Sequence, residues 1–139
     1  MFEVGNEGGS FSNLLRAVLN ADYNFAGGYY VLVEVYFNGQ GTRDREAYDL
    51  GALLSGETFN LAKEYLAASV AKSITPLLNM ALYSLVNLDD QSSLVGPALV
   101  YSLGDNLELS ASTYLFLGAR DTEFGAQKHV VFASLQYFF

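Results

Sequence analysis

The chain has 139 residues, of which 51% are hydrophobic and 14% aromatic, and it carries a formal net charge of −8. It contains no cysteine, which excludes disulfides and cysteine-based metal sites, and its acidic charge disfavours binding to nucleic acid or to anionic lipid headgroups. No apolar run approaches the ~18–20 residues that a membrane helix needs, so the apolar side chains belong to alternating strands or to a buried core.

The first ten residues are rich in glycine, and the composition shows no break after them. Phe2 and Val4 alternate with polar or small residues, which predicts a short strand over residues 2–7 before a glycine turn. No basic and apolar leader follows Met1, so we expect an exported protein to have lost its signal peptide, or the chain to be the C-terminal part of a longer one. We expect residues 1–139 to form one domain.

Residues 14–38 show the clearest alternation in the chain. The odd positions over residues 15–25 and 29–37 are apolar, and a glycine turn lies between the two stretches at residues 26–28. This pattern predicts two strands joined as a hairpin. The even positions form the opposite row, which includes Arg16, Asn20, Asp22, Glu34 and Tyr36.

Residues 39–58 are the one long irregular segment that the sequence predicts. One or two helical turns are expected between residues 45 and 54. A connection of this length is usually either functional or a mobile extracellular loop. Its charged residues include Arg43, Asp44, Arg45, Glu46 and Asp49.

The next strand is predicted over residues 59–74, with Lys63 and Tyr65 on the polar side. In that register Glu64 and Lys72 fall on the apolar side, about 26 Å apart at ~3.3 Å per residue. They would then lie near the two edges of an apolar band ~25 Å tall.

Three further strands follow at hairpin spacing, over residues 78–88, 95–103 and 107–117, with Asn79, Tyr83, Glu108, Ser110 and Ser112 on the polar side. Asp89 and Asp90 predict a tight turn rather than a metal site, because two adjacent acids with no third ligand nearby more often begin a turn. Pro97 lies in mid-strand and predicts a bulge or a weakly paired position. A polar loop is expected over residues 118–127.

The final segment, residues 128–139, alternates again, with Gln136 on the polar side. Its other face carries Val131, Ala133, Leu135, Tyr137 and Phe139. The row Leu135, Tyr137 and Phe139 resembles the assembly signal of bacterial outer-membrane β-barrels, whose closing strand typically ends in Phe with an aromatic residue two positions earlier.

The hairpins before it carry a second resemblance. Thr75-Pro76-Leu77-Leu78 and the stretches over residues 85–90 and 96–109 look like the C-terminal hairpins of large porin-like outer-membrane proteins. The resemblance implies a place in the outer membrane of a Gram-negative bacterium, contact with membrane lipid, and insertion by the barrel-assembly machinery.

No crossover helix is predicted between strands, so the sheet is expected to be an antiparallel meander. A soluble ligand-binding barrel would carry its charge outside, whereas here one row is apolar along nearly the whole of each strand. We therefore predict an all-β, up-and-down transmembrane β-barrel of about eight strands, with residues 2–7 paired to the final strand. The expected lumen-lining set is Arg16, Asn20, Asp22, Glu34, Tyr36, Lys63, Asn79, Tyr83, Glu108, Ser110, Ser112 and Gln136.

The motifs of common enzyme classes, such as a Gly-x-Ser-x-Gly elbow or a phosphate-binding glycine loop, do not occur, and His129 is the single histidine. We expect no catalytic role, cofactor or metal. Three functions stay open: a porin-like channel, or part of one, for small solutes or ions; a small structural or adhesive barrel acting through residues 39–58; and, least favoured, a membrane-embedded enzyme. Four charged residues would either bias ion passage or, as an eight-stranded interior favours, pair with one another: Arg16, Glu34, Lys63 and Glu108.

Overall fold

The computed structural model of the protein describes residues 15–58 and 60–139. These residues form one antiparallel sheet whose seven strands lie in sequence order, so the predicted meander is confirmed. The strands are β1 (Arg16–Phe25), β2 (Tyr29–Asn38), β3 (Glu64–Thr75), β4 (Leu78–Asn87), β5 (Ser93–Gly104), β6 (Leu107–Leu117) and β7 (Val130–Tyr137). The helical structure expected between β2 and β3 is present as a 3₁₀ turn (Arg45–Ala47) and a short helix α1 (Leu50–Ser55).

The cross-strand register divides the side chains into two faces, because directly paired residues of neighbouring strands point the same way. The apolar face comprises the odd-numbered residues of β1, β2, β5, β6 and β7 and the even-numbered residues of β3 and β4. The polar face comprises the remaining strand residues. The pairs Asn20↔Glu34 and Glu108↔Gln136 lie on the polar face at the two sides of the sheet.

The apolar face is exposed and almost free of charge. Leu19 and Val131, on the two outermost strands, are 76% and 79% exposed. Within the strands, Glu64 and Lys72 are its only ionisable acid and base, at opposite ends of β3, as the alternation predicts. Monomeric soluble proteins rarely expose a contiguous apolar surface of more than a few hundred Å².

The two ends of the sheet differ. At one end, called the turn end, short turns join the strands at residues 26–28, 76–77 and 105–106. At the other, called the loop end, the connections cover residues 39–63, 88–92 and 118–129. Of the helices in residues 15–58 and 60–139, none is long and apolar enough to cross a membrane.

The third strand begins later than the alternation predicts. Residues 60–63 lie outside β3, which starts at Glu64. The backbone N–H groups of Leu61, Lys63 and Glu64 donate to side-chain carboxylates of other loops. Those acceptors take the place of a strand partner, and sequence periodicity carries no sign of them.

Pro97 produces a weakly paired position rather than a bulge. It pairs with Leu82 of β4, but the ladder to β6 passes from Val95↔Leu115 to Ala98↔Ser112 without pairing Gly96 or Pro97. The register shifts of the sheet lie elsewhere, near the turn end, between Ser73 and Thr75 and between Ser102 and Gly104.

The described residues do not close into the predicted barrel of about eight strands. Strand β1 pairs with β2 alone and β7 with β6 alone, so the sheet is open between its two outer strands. Closure of a barrel needs strand number, tilt and stagger that agree with one another, and the alternation of side chains fixes none of these quantities. The predicted pairing of residues 2–7 lies outside the described residues.

Candidate functional site

The buried core of the described residues lies at the loop end, where the long connections fold over the polar face. Ala62, Tyr65 and Phe124 form its apolar centre, and side chains of β2, β4, β5 and β6 pack around them. We call the buried set at this end the loop cluster; it consists of Asn38, Leu61, Ala62, Tyr65, Asn87, Ser92, Thr122, Glu123 and Phe124.

Glu123 lies at the centre of the loop cluster and is completely buried. Its Oε2 accepts hydrogen bonds from the Tyr65 hydroxyl and from Asn87 Nδ2, both at 2.7 Å. Its Oε1 accepts from the backbone N–H of Leu61 at 3.1 Å, and its own N–H donates to Asp90 Oδ2 at 2.8 Å. A single residue thereby joins all three loop-end connections.

Asp89 and Asp90 form the tight turn that the sequence predicts, and both carboxylates accept hydrogen bonds from the backbone. Asp89 Oδ2 accepts from the N–H groups of Lys63 and Glu64 at 2.8 and 3.0 Å. Asp90 Oδ1 accepts from Ser92 N–H at 2.8 Å. Within residues 15–58 and 60–139, no group of three or more His, Cys, Asp or Glu residues is placed to hold a metal ion.

Burial dominates the electrostatics of the loop cluster. Loss of solvent raises the pKa of the Glu123 carboxyl, and the hydrogen bonds from Tyr65, Leu61 and Asn87 oppose that rise. Burial likewise raises the pKa of Tyr48 to about 12. The Tyr48 hydroxyl accepts from Asn87 Nδ2 at 3.0 Å, which opposes that rise but links the segment 39–58 to the cluster.

The charged residues of segment 39–58 stabilise its fold and connect it to neighbouring loops. The side chains of Asp44 and Asp49 accept from the N–H groups of Glu46 and Ala52 at 3.0 and 2.9 Å, which caps the two helical turns. Arg43 pairs with Glu64 and lies 3.7 Å from Asp89 Oδ1, and Arg45 lies 3.3 Å from Asp121 Oδ2. The segment is therefore tied to both other loop-end connections.

The expected lumen-lining residues share one face of the sheet. All but Lys63, which precedes β3, lie on the polar face: Arg16, Asn20, Asp22, Glu34, Tyr36, Asn79, Tyr83, Glu108, Ser110, Ser112 and Gln136. Some form cross-strand hydrogen bonds, such as Asn20 Nδ2 to Glu34 Oε2 at 3.5 Å. The ion pairs of the described residues all lie at the loop end, and none joins two of Arg16, Glu34, Lys63 and Glu108.

The remaining candidates lie on β7 or directly next to it in the chain. Leu135 and Tyr137 are on the apolar face of β7, and the Phe139 ring stacks on the Tyr137 ring with 6.4 Å between centroids. His129 Nδ1 accepts from the backbone N–H of Phe116 at 3.0 Å, which gives the histidine a structural contact at the start of β7.

Sequence reasoning missed Glu123, which it placed in an ordinary polar loop. Two glycines that flank the residue were the available signal. A Cβ on Gly125 would lie 2.0 Å from the Ala119 carbonyl oxygen, and Gly118 has φ +149°. Such close backbone packing indicates a loop folded against itself rather than an extended one.

Comparison of the chain with protein-family models, with curated proteins and with solved structures found no match. The function of the chain must therefore be inferred from the geometry of the sheet and of its two ends.

We predict that replacing Glu123 with Leu will loosen the loop end. The change leaves the Tyr65 hydroxyl, the Leu61 N–H and one of the two N–H groups of the Asn87 amide without an acceptor, and each buried unpaired donor costs about 1–3 kcal/mol. Hydrogen exchange should accelerate at residues 60–64 and 87–92. Glu123→Gln keeps an acceptor oxygen and should have a smaller effect, and the exposed change Glu46→Gln should have none. Unchanged exchange in Glu123→Leu would show that the carboxylate does not hold the loops.

The raised pKa of Glu123 predicts a pH dependence of the same loops. A carboxyl whose pKa is higher in the folded state than in the unfolded state stabilises the fold. That stabilisation is fully present below the pKa of the unfolded state and is lost as the pH rises through the pKa of the folded state. After correction for intrinsic exchange rates, residues 60–64 should open more readily at about pH 8 than at about pH 5. This difference in opening between the two pH values should be absent in Glu123→Gln. A wild-type loop that opens more readily in acid would contradict the prediction.

Proposed function

We propose that this chain is the wall of a porin-like transmembrane β-barrel in the outer membrane of a Gram-negative bacterium. The observation that supports the proposal is the apolar face, whose only charged residues within the described strands are Glu64, at the start of β3, and Lys72, three residues before its end. An uncharged apolar band that is bounded at both ends by charge is what the hydrocarbon core of a bilayer requires.

The dimensions of the strands agree with this proposal. The strands are 8 to 12 residues long, and a tilted strand needs ~9–11 residues to cross a bilayer. The two charged residues of the apolar face lie about 26 Å apart along β3, which at a strand tilt of ~40° corresponds to ~20 Å along the bilayer normal, so both lie toward the edges of an apolar band ~25 Å tall.

The difference between the two ends of the sheet also supports it. Barrels of this class have short turns on the periplasmic side and longer extracellular loops. In the proposal the turn end is periplasmic, and the loop end with residues 39–58 is extracellular. The row Leu135, Tyr137 and Phe139 would then be available to the barrel-assembly machinery.

The proposal includes closure of the sheet. Among the described residues, β1 and β7 each have one edge without a strand partner. Unpaired backbone groups cost several kcal/mol each in lipid, so these edges must be paired in a membrane. Either residues 2–7 form the closing strand, as the sequence predicts, or β1 and β7 pair with strands of a larger barrel.

The polar face favours passage of cations. Its ionisable acids and bases in the described strands are Arg16, Asp22, Glu34 and Glu108, three acids and one base. None of them forms an ion pair with another. Carboxylates along a lumen attract cations and repel anions. The proposed activity is therefore the passage of small solutes and ions, with cations preferred.

A structural or adhesive barrel is the second candidate, and one observation favours it. The loop cluster packs on the polar face at the loop end, and it would narrow that mouth of the proposed barrel. Segment 39–58 is ordered by its two helix caps and its ion pairs, so it offers a defined outer surface.

We expect Val33→Arg to destabilise the protein far more than Glu34→Gln. Val33 lies on the apolar face near the middle of β2, and an arginine at the bilayer midplane costs about 2–4 kcal/mol. Glu34 lies on the opposite face, so it serves as the matched control. Unfolding in detergent micelles gives both free energies. Equal losses, or a wild-type protein that is soluble and monomeric without detergent, would refute the membrane placement.

Planar bilayers distinguish the channel from the structural barrel. We expect stepwise conductance that favours cations, and Glu34→Gln together with Glu108→Gln should lower the cation-to-anion permeability ratio because two of the three carboxylates are lost. Glu46→Gln, in segment 39–58, is the control and should leave the ratio unchanged. A folded, inserted protein that conducts no ions would favour the structural or adhesive function.

A further inference from the structure

A groove crosses the apolar face near the turn end of the sheet, over β3, β4 and β5, with a volume of about 370 Å³. Its volume lies in the range of small-ligand sites, about 300–1,000 Å³. One wall is the cross-strand row Tyr29, Lys72, Met80 and Leu99. The other wall is the next row, which includes Val70, Leu82 and Pro97.

The sequence explains why a groove forms there. The floor is the backbone at Ala71, Ala81 and Ala98, whose side chains are on the opposite face. Pro97 has a short ring beside the longer Leu82 of β4, so this row is lower at β5 than at β4. The walls carry no carboxylate, and apart from Lys72 and the Tyr29 hydroxyl their side chains are apolar.

Lys72 gives the groove a charged end. Its ammonium Nζ lies 3.9 Å from the centroid of the Tyr29 ring, in a cation–π contact that positions the charge beside the Tyr29 side chain. It is the one basic residue on the apolar face of the described strands. An apolar groove that ends at an ammonium and a phenol hydroxyl matches a ligand with a hydrocarbon tail and a phosphate head.

We propose that this groove binds one phospholipid, with an acyl chain along the groove and the phosphate at Lys72 and the Tyr29 hydroxyl. The proposal rests on the membrane placement proposed above, because only then does the apolar face meet lipid. Lys72 lies at the edge of the apolar band, where the phosphates of a bilayer are found and where lysine side chains extend their charge out of the hydrocarbon.

The net charge of the protein favours one kind of lipid headgroup over another. A chain with a formal net charge of −8 repels anionic lipids at long range. A zwitterionic phospholipid such as phosphatidylethanolamine offers the same phosphate to Lys72 without a net charge. The proposed ligand is therefore zwitterionic, and anionic and uncharged lipids with the same tails are the comparisons.

The experiment counts lipids that stay bound to the detergent-purified protein, by native mass spectrometry after incubation with phosphatidylethanolamine, phosphatidylglycerol or diacylglycerol. We expect one phosphatidylethanolamine per chain and little diacylglycerol, which has no phosphate. Lys72→Gln should weaken binding about tenfold because it removes a charge-assisted hydrogen bond, and Lys72→Arg should retain most of it. Lys128→Gln, at the opposite end of the sheet, should bind as the wild type does.

A second pair of variants tests the groove itself. Val70→Phe adds bulk to the groove wall and should reduce binding, whereas Val33→Phe, on the same face outside the groove, should not. Equal binding by wild type, Lys72→Gln and Val70→Phe would overturn the lipid site and leave the membrane placement intact. Stronger retention of phosphatidylglycerol or of diacylglycerol would overturn the zwitterionic phosphate ligand. A wild-type protein that needs no detergent would refute the membrane placement, whatever its lipid count.

Discussion

The continuous cross-strand register is the constraint on which the rest of the structure depends. Strand side chains alternate with a period of two, so a slip of one residue in any of the six ladders would move that strand's apolar row to the polar face. The two register shifts of the sheet lie near the turn end, at Ser73/Thr75 and Ser102/Gly104. Past those points few strand residues remain, so the shifts leave the separation of the two faces intact over nearly the whole sheet.

The polar face is more deeply buried at the loop end than over the rest of the sheet. Over most of its length that face carries small polar residues and isolated charges, but at the loop end it is covered and dry. A buried carboxylate is costly there, and the three donors from Tyr65, Asn87 and Leu61 offset part of that cost. Because those donors belong to β3, β4 and the connection before β3, opening one loop leaves polar groups of its neighbours unpaired. The three connections are therefore expected to open together.

Local pattern was enough to predict the strands, the tight turns and the two faces, since alternation is a property of neighbouring residues. It was not enough for the loop cluster, because Leu61 and Glu123 lie 62 residues apart and meet only in the folded chain. The same long-range contacts explain why the third strand begins at Glu64 and not near residue 59. Alternation also does not determine closure, because it sets which way a side chain points but not how strongly a sheet curls or which strand reaches its open edges; the seven described strands stay open.

The two charged residues of the apolar face, both on β3, have different neighbours. Glu64, at the loop end, pairs with Arg43 from the long connection, so its charge is neutralised by the protein itself. Lys72, at the turn end, contacts an aromatic ring, which satisfies the cation only weakly and leaves the ammonium available to an anion. Glu64 thus has its counter-charge within the protein, whereas Lys72 has no carboxylate partner among the described residues. The proposed lipid site depends on that difference, because a phosphate would give Lys72 the anionic partner that Glu64 does not need.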